Sequence, residues 1–334
     1  MTAQAPTVIC LGEMLWDCLA NDRDLPAEQV QSWTPWPGGA PANVATALVK
    51  LGVQSGLITC LGSDPEGDRL FQVLQDNAVA IAAVQRHPRL PTRQVQVLRT
   101  AQGDRLFGGF GAIACDQFAD TELQAEQLPQ DWFRSAKVLC LGTIPLAYPS
   151  SAIAAQQALT WANQQGMTVL LDVNWRPSFW PEPSLAPDCI RAILPQIQQL
   201  KLACEEAEWL FDTVDPATIQ ARQPQLQAVL ITDGDRGCHY WVAGWQGYCP
   251  SFPVEAIDTT GAGDAFVAAW LAQNTQMDFQ WTSAEQVQTA IRWASAAGAL
   301  TTLNPGAIAA QPSSSEIRAF LAAIHAPHPS IQHR

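Results

Sequence analysis

Two glycine-rich segments, one near each end of the chain, carry the residues best suited to chemistry. The later segment runs from Asp258 to Asp264 and precedes an alanine-rich stretch of helical period. Glycine lets a ligand approach the backbone, and the first turn of a helix presents free N–H groups and a positive dipole. The segment therefore predicts an anion site. Asp264 lies at its mouth, where a carboxylate can accept a proton from a hydroxyl group as a general base.

Asp264 also fits the ordinary role of capping a helix, and from this segment alone the two interpretations are equally good. The charge balance limits how an anion can be held, because 18 Lys and Arg stand against 31 Asp and Glu and the net charge is −13. A phosphoryl group in transfer would be held by backbone N–H groups, a metal or a few arginines, with no lysine required. The negative field repels phosphate backbones and anionic membranes, which excludes nucleic acid and membrane partners.

The earlier segment, Pro37 to Asn43, is a second glycine-rich turn that leads into a helix. The Asn43 amide offers both a donor and an acceptor to a polyhydroxylated ligand. Asp17 follows the first strand, and its carboxylate can accept from two neighbouring hydroxyls. Taken singly, Asp17 also fits a solvated loop acid, and Asn43 an N-cap.

Apolar stretches of strand length alternate with helix-period segments along most of the chain. Residues 138–141 and 168–171 are apolar on both faces, which is typical of a parallel sheet covered by helices on both sides. The fold class is therefore α/β. In such a sheet the ligand crevice lies at the carboxyl ends of the strands, where Asp17 falls.

Two segments interrupt this alternation of strands and helices and predict antiparallel strands, because polar and apolar residues alternate there. These strands could pair into a small sheet that projects as a lid. The predicted divisions are a main domain of residues 1–16, 37–91 and 111–330, a lid of 17–36 and 92–110, and a frayed tail of 326–334. The nine cysteines are scattered without a C-x-x-C pair, which indicates reduced thiols and a cytoplasmic location. The N-terminus predicts neither a signal peptide nor a membrane span.

Together the glycines at 12, 38, 39, 52 and 62, Asn43 and the 258–264 segment resemble the ribokinase-like sugar kinases, the PfkB family, over nearly the whole chain. The resemblance implies a three-layer αβα sandwich with a β-sheet lid. It also implies a catalytic base at Asp264 and an anion hole at Gly261, Ala262 and Gly263. The positions that contact the sugar in this family match Asp17, Gly38, Gly39 and Asn43.

Between the two signatures, residues 172–177 resemble the D-x-N-x-R pattern of fructokinases and 2-keto-3-deoxygluconate kinases. The resemblance implies that Asn174 contacts the substrate and that Arg176 steadies the transferring group. An arginine beside a proline in a loop also fits a solvated or carboxylate-paired side chain.

Residues 232–237 resemble the nucleotide loop of the family, although a hairpin turn would look similar. The resemblance implies that ATP contacts Thr232, Gly234, Gly237, Gly261, Gly263 and Ser295. Glu206 falls where relatives orient Mg²⁺ through water, and it also fits a helix-surface acid. Asp258 and Thr260 fall where relatives bind a monovalent cation, so a K⁺ requirement is a hypothesis.

Three positions depart from the family pattern. Ala203 replaces an Asn or Ser near the metal and phosphates, and Ser295 replaces an Asn near the adenine, which makes the nucleotide preference less secure. Gly111 occupies the position of a lid arginine that meets the sugar in many fructokinases and 2-keto-3-deoxygluconate kinases. A carboxylate-bearing substrate would need that arginine, so its absence favours a neutral sugar.

The expected reaction is phosphorylation of fructose to fructose 6-phosphate by ATP, with Mg²⁺ neutralising the phosphates. The alternatives within the family are 2-keto-3-deoxygluconate, ribose and nucleoside kinases, and a different class is a non-catalytic sugar or nucleotide sensor. A dinucleotide-binding oxidoreductase lacks support, because no G-x-G-x-x-G opens the first βα unit. The expected partners are the sugar and ATP, with a possible homodimer through the lid.

Overall fold

The computed structural model of the chain describes residues 5–101 and 105–325. The predicted tail at 326–334 lies outside this part. The strands are β1 (Val8–Leu11), β2 (Leu15–Ala20), β3 (Trp33–Gly38), β4 (Ser55–Gly62), β5 (Val84–His87), β6 (Gln94–Arg99), β7 (Arg105–Gly109), β8 (Val138–Leu141), β9 (Thr168–Asp172), β10 (Gln199–Ala203), β11 (Ala228–Thr232), β12 (Cys238–Val242) and β13 (Trp245–Cys249). The α-helices are α1 (Ala40–Lys50), α2 (Pro65–Asp76), α3 (Gln130–Phe133), α4 (Pro149–Gln164), α5 (Ala186–Ile193), α6 (Cys204–Phe211), α7 (Pro216–Arg222), α8 (Ala262–Gln276), α9 (Ala284–Thr301) and α10 (Ser314–His325).

The larger sheet has nine strands in the order β13-β12-β11-β10-β9-β8-β1-β4-β5. Seven strands of this sheet run parallel, namely β5, β4, β1, β8, β9, β10 and β11. At the β11 end, β12 and β13 extend the sheet as an antiparallel hairpin. The predicted α/β class with a mostly parallel sheet is thus confirmed.

Both faces of this sheet are covered, as β1 shows most simply. Val8 and Cys10 face a core that contains side chains of α1, α8 and α9, whereas Ile9 and Leu11 face a core built with α4 to α7. Successive strand residues point to opposite faces, so an apolar run such as β1 fits only a sheet that is buried on both sides. The predicted three-layer arrangement is confirmed.

The smaller sheet has four strands in the order β3-β2-β6-β7. These strands come largely from the two regions predicted to form the lid, 17–36 and 92–110. β3 pairs with β2 and β7 with β6 in antiparallel fashion, while β2 and β6 run parallel. The expectation of antiparallel strands was therefore wrong for the central pair, because segments far apart in sequence need not meet as a hairpin. The predicted small sheet is present, and its movement as a lid stays a prediction.

The topology brings the candidate residues to one edge of the larger sheet. β1, β9, β10 and β11 are parallel and all end at this edge, followed by Gly12, Val173, Cys204 and Asp233. Within the described residues, none of the helices is long and apolar enough to cross a membrane. All nine cysteines are free.

Candidate active site

Asp264 is the third residue of α8, and its side chain faces another helix. The N-cap of α8 is Gly261, not Asp264, and no side chain forms a capping hydrogen bond at this helix start. The interpretation of Asp264 as a helix cap was therefore wrong. Asp264 Oδ2 instead accepts a hydrogen bond of 2.8 Å from Asn43 Nδ2. The carboxylate of the later glycine segment and the amide of the earlier one therefore lie together.

Asn43 belongs to the first part of α1, where it is buried. Gly39 is the N-cap of this helix, so the N-cap interpretation of Asn43 was also wrong. Gly39 has φ near +100°, and a Cβ there would lie 2.5 Å from the Glu13 carbonyl oxygen, which is why the turn needs glycine. The Asn43 Oδ1 atom has no hydrogen-bond partner among the described residues and remains available as an acceptor.

The backbone around Gly261 shapes the predicted anion hole. Gly261 adopts the left-handed conformation, with φ near +80°, and its position for a Cβ lies 2.8 Å from the Ala307 side chain. A non-glycine residue would be excluded there by both strain and contact. The turn starts α8 with the N–H groups of its first residues unused by the helix, and these groups include Gly263 and Asp264. An oxyanion between them would be bound by N–H groups and the helix dipole.

A lysine also lies beside this anion hole, contrary to the expectation that none is needed. Lys201 Nζ lies 3.4 Å from the position that a Cβ on Gly263 would occupy. It is buried and forms a 3.0 Å ion pair with Asp172. Burial lowers the pKa of Lys201, but Asp172 and Glu206 outweigh this effect, so its pKa is raised and the ammonium stays charged. The hint in the sequence was a lysine within an apolar strand, next to a strand that ends in aspartate.

Asp264 itself is kept in an environment that favours proton uptake. Burial raises the pKa of its carboxyl, against the hydrogen bond from Asn43 and the charges of Lys201 and Arg176, which lower it. A general base works best when its pKa approaches the working pH. The raised pKa therefore suits Asp264 to accept a hydroxyl proton.

Asp17 lies in β2 of the small sheet and contacts the same crevice. Burial raises the pKa of its carboxyl to about 6, while the charges of Arg105 and Arg176 lower it and that of Asp264 raises it. These influences show that the charged groups lie close together. Gly38 leaves room for the Asp17 carboxylate, since a Cβ at residue 38 would collide with Oδ2.

Asn174 and Arg176 follow β9 at the same edge. Asn174 adopts a positive φ of 40°, which asparagine tolerates better than most residues. Arg176 is exposed, and its Nη1 donates to the Trp175 carbonyl at 3.0 Å. Its charge nevertheless lowers the pKa of both Asp17 and Asp264. Arg176 thus stands at the opening of the crevice.

The predicted nucleotide residues surround one cavity of about 660 Å³. Five of the six residues predicted to contact ATP line it, namely Thr232, Gly234, Gly237, Gly263 and Ser295. Gly261 adjoins it as the N-cap of α8. Phe252, Val254 and Phe266 add apolar walls, and the cavity reaches the anion hole through Ala262 and Gly263. Such a cavity has the size and mixed lining of a site for a small organic ligand.

Glu206 is buried rather than on a helix surface. Its two carboxylate oxygens accept backbone N–H groups, one from Trp175 at 2.6 Å and the other from Ala203 at 2.7 Å. It therefore ties the loop after β9 to the start of α6. Each oxygen keeps a second lone pair, which leaves room for a contact with a water molecule. The described residues contain no group of three or more His, Cys, Asp or Glu side chains arranged to hold a metal.

Asp258 and Thr260, the predicted cation residues, contact an arginine of the small sheet. Arg105 of β7 donates from Nη2 to Asp258 Oδ2 at 2.6 Å and from Nη1 to Thr260 Oγ1 at 2.7 Å. Sequence reasoning missed Arg105, because its strand lies far from residues 258–260 in the chain.

Comparisons with known proteins agree with this geometry. Residues 5–314 match the family described as pfkB family carbohydrate kinase. The chain is 32% identical over 317 residues to the probable fructokinase-2 of Arabidopsis thaliana, covering 94% of this chain and 95% of that protein.

Among solved structures, the Xylella fastidiosa fructokinase with bound ATP superposes with a TM-score of 0.84 at 28% identity, covering 97% of this chain and 100% of that one. A double mutant of the Vibrio cholerae O395 fructokinase in its fructose, ADP and potassium ion bound form gives 0.80 at 27% identity, covering 95% and 99% of the two chains.

Proposed function

Because this chain belongs to the pfkB family of carbohydrate kinases, we propose that it transfers the γ-phosphoryl group of ATP to a hydroxyl of fructose, giving fructose 6-phosphate. The match to the pfkB family confirms the predicted family and the predicted enzyme class, an ATP-dependent carbohydrate kinase. The observation that carries the proposal is the contact between Asn43 and Asp264 at the anion hole, since it joins a sugar-binding amide to a general base. The roles of the individual residues below are part of the proposal.

In the proposed reaction Asp264 accepts the proton of the attacking hydroxyl while the oxygen bonds to phosphorus. The bond between phosphorus and the bridging oxygen of ADP breaks, and ADP leaves with that electron pair. The N–H groups of Gly263 and its neighbours bind the equatorial oxygens of the phosphoryl group. Lys201 adds a fixed positive charge beside them, held in place by Asp172.

The sugar is proposed to lie between the small sheet and α1. Asp17 accepts hydrogen bonds from two sugar hydroxyls, and Asn43 supplies its free Oδ1. Asn174 also contacts the substrate, while Gly38 and Gly39 form the turn that packs against Asp17 and Glu13 beside the sugar. Gly111 stands where a carboxylate-binding arginine would be expected, which favours fructose over 2-keto-3-deoxygluconate.

ATP is proposed to occupy the 660 Å³ cavity, with its phosphates toward Gly263. A Mg²⁺ ion fits the remaining donors, because it usually keeps several waters and binds through substrate phosphates and one or two carboxylates. Glu206 would hold one of those waters. When bound, the ion neutralises charge that develops on the phosphate oxygens.

Two further expectations concern assembly and location. Leu106 and Phe107 of the edge strand β7 are large, apolar and exposed, which supports the predicted homodimer through the lid. Sedimentation of the purified protein would test it. The free cysteines support a reducing cytoplasm.

The direct test is ATP consumption in the presence of fructose, 2-keto-3-deoxygluconate, ribose or a nucleoside, each at the same concentration. We expect fructose to give the highest kcat/KM and product analysis to find fructose 6-phosphate. Preference for another sugar would overturn the assignment of fructose. A rise in Tm with sugar or ATP but without turnover would instead indicate the sensor function.

A further inference from the structure

Arg105 is the side chain through which the small sheet contacts the loop that precedes the anion hole. It donates to Asp258 Oδ2 and to Thr260 Oγ1, as described above. Asp258 is 4% exposed at its side chain, and Arg105 is 27% exposed. The ion pair is thus largely withdrawn from water, where screening is weak.

The Asp258 carboxylate has no free acceptor position for a metal ion in this arrangement. Oδ1 accepts from the N–H and the hydroxyl of Thr260, at 3.1 and 2.7 Å. Oδ2 accepts from Arg105 and from the Gly306 N–H, at 2.6 and 2.8 Å. A carboxylate offers about four lone-pair positions, and donors use all of them. A K⁺ ion therefore does not fit at Asp258 while Arg105 is in place.

Local electrostatics explain why a cation is needed here. Asp17, Asp258 and Asp264 lie close enough that each of the other two carboxylates raises the pKa of Asp17, although burial is the largest cause of its shift. Three neighbouring carboxylates repel one another, and they would also repel a phosphate group. A guanidinium stays charged at every physiological pH. Arg105 therefore supplies permanently the positive charge that a bound ion would supply only at sufficient concentration.

We propose that the Arg105 guanidinium is the resident cation of the Asp258–Thr260 loop, in place of a monovalent metal ion. Thr260 adjoins Gly261, the N-cap of α8, so the same guanidinium positions the turn that forms the anion hole. Because Arg105 belongs to the small sheet, this turn is fixed when the sheet lies over the crevice. Arg105 is thus a positioning residue that acts through Asp258 and Thr260. The inference rests on the proposed kinase function only for its kinetic test.

The test compares wild type with Arg105→Met in KCl and in tetramethylammonium chloride of equal ionic strength. Two quantities are measured, the Tm without substrates and kcat with ATP and the preferred sugar. For wild type we expect the same Tm and less than about a twofold change in kcat between the two salts. For Arg105→Met we expect at least about a tenfold lower kcat in tetramethylammonium, equivalent to one lost charged hydrogen bond. K⁺ should raise both its kcat and its Tm.

Two further variants make the comparison specific. Arg105→Lys keeps the charge, so its kcat should be insensitive to K⁺ and above that of Arg105→Met. Arg99→Met is the matched control, because Arg99 is the cross-strand neighbour of Arg105 but donates to the carbonyl of Asn21, directly after β2, and not to residues 258–260. Its kcat and Tm should not respond to K⁺.

Either of two results would overturn the proposal. One is a wild-type kcat or Tm that rises with K⁺. The other is an Arg105→Met variant whose kcat and Tm are both unaffected by K⁺, because the guanidinium would then not be standing in for an ion. If none of the tested sugars is phosphorylated, the proposed function fails instead, while the Tm comparison still decides whether K⁺ binds when Arg105 is removed.

Discussion

Asn43 and Asp264 are joined by a 2.8 Å hydrogen bond, although they lie 221 positions apart in the chain. Asn43 lies in α1 and Asp264 at the start of α8, and both helices contribute to the same hydrophobic core. Packing of the two helices therefore sets the distance between the amide and the carboxylate. The proposed base is oriented by the core of the protein rather than by a loop.

Replacing Asp264 with Asn should lower kcat by about 10²- to 10⁴-fold, the usual effect of removing a general base. The amide is nearly isosteric with the carboxylate but cannot accept the hydroxyl proton. Steady-state kinetics with ATP and the preferred sugar would measure the loss, and circular dichroism would show that the fold is retained.

Asp188→Asn is a matched control for this substitution. Asp188 is also the third residue of its helix, α5, but it is exposed, and its one ion pair within residues 5–101 and 105–325 is with Arg191, at 3.6 Å. Its replacement should leave kcat within about twofold, because exposed ion pairs contribute little. An Asp264→Asn enzyme as active as Asp188→Asn would refute the assigned base.

Replacing Asn43 with Leu should move the acidic limb of the kcat/KM profile to higher pH. Burial already raises the pKa of Asp264, and the Asn43 hydrogen bond opposes this rise, so its removal raises the pKa further. Activity requires the deprotonated carboxylate, and half of the activity would then be lost at a higher pH than in wild type. An acidic limb at the same pH in both enzymes would show that the hydrogen bond does not tune the base.

Replacing Lys201 with Met should lower kcat by about 10²-fold, comparable to losing one group that stabilises an oxyanion. It should also cost about 3–5 kcal/mol of stability, because Asp172 would remain buried without its partner. Lys137→Met is a control for loss of a lysine charge, since its pair with Asp278 is exposed.

The double variant Lys201→Met/Asp172→Asn separates the two effects. It removes the unpaired charge, so urea unfolding should recover most of the lost free energy while kcat stays low. If kcat recovers together with stability, Lys201 has a structural role only.

Replacing Gly261 with Ala should lower both Tm and kcat. The left-handed backbone costs a residue with a Cβ about 1–2 kcal/mol, and contact with Ala307 adds to this and displaces the anion hole. Gly166→Ala is the control, because Gly166 has a similar φ of +68° but no atom within 4 Å of the Cβ position. It should show the strain in Tm without loss of kcat. If Gly261→Ala and Gly166→Ala have the same kcat, the result would argue against the proposed anion hole.

Local patterns were enough to predict the βα rhythm and the two glycine turns, whereas the family resemblance supplied the five predicted residues that line the 660 Å³ cavity. Strand β1 is specified by a short continuous run of apolar residues, and the turn at Gly261 by the spacing of its glycines. Because the carboxyl ends of parallel strands lie at one edge of a sheet, the sequence also predicted that Asp17, which follows β1, lies near that edge.

Contacts between distant segments could not be predicted in the same way. Arg105 reaches residues 258–260 from a strand of the other sheet, and no local pattern encodes that approach. The sequence favours backbone N–H groups, a metal or arginines as the anion-binding groups, so it gives no reason to place Lys201 beside the anion hole. Its partner Asp172 ends the neighbouring strand, and only the order of strands reveals that they are adjacent.

Helix α8 is enclosed along most of its length, and Trp270 donates a buried 2.8 Å hydrogen bond to Gln199 of β10. Lys201 also belongs to β10, so the hydrogen bond between Trp270 and Gln199 aligns α8 with β10. These are the two elements proposed to contact the phosphoryl group during its transfer. Heat should therefore inactivate the enzyme only as the whole molecule melts, with no earlier phase in which catalysis fails while the fold persists.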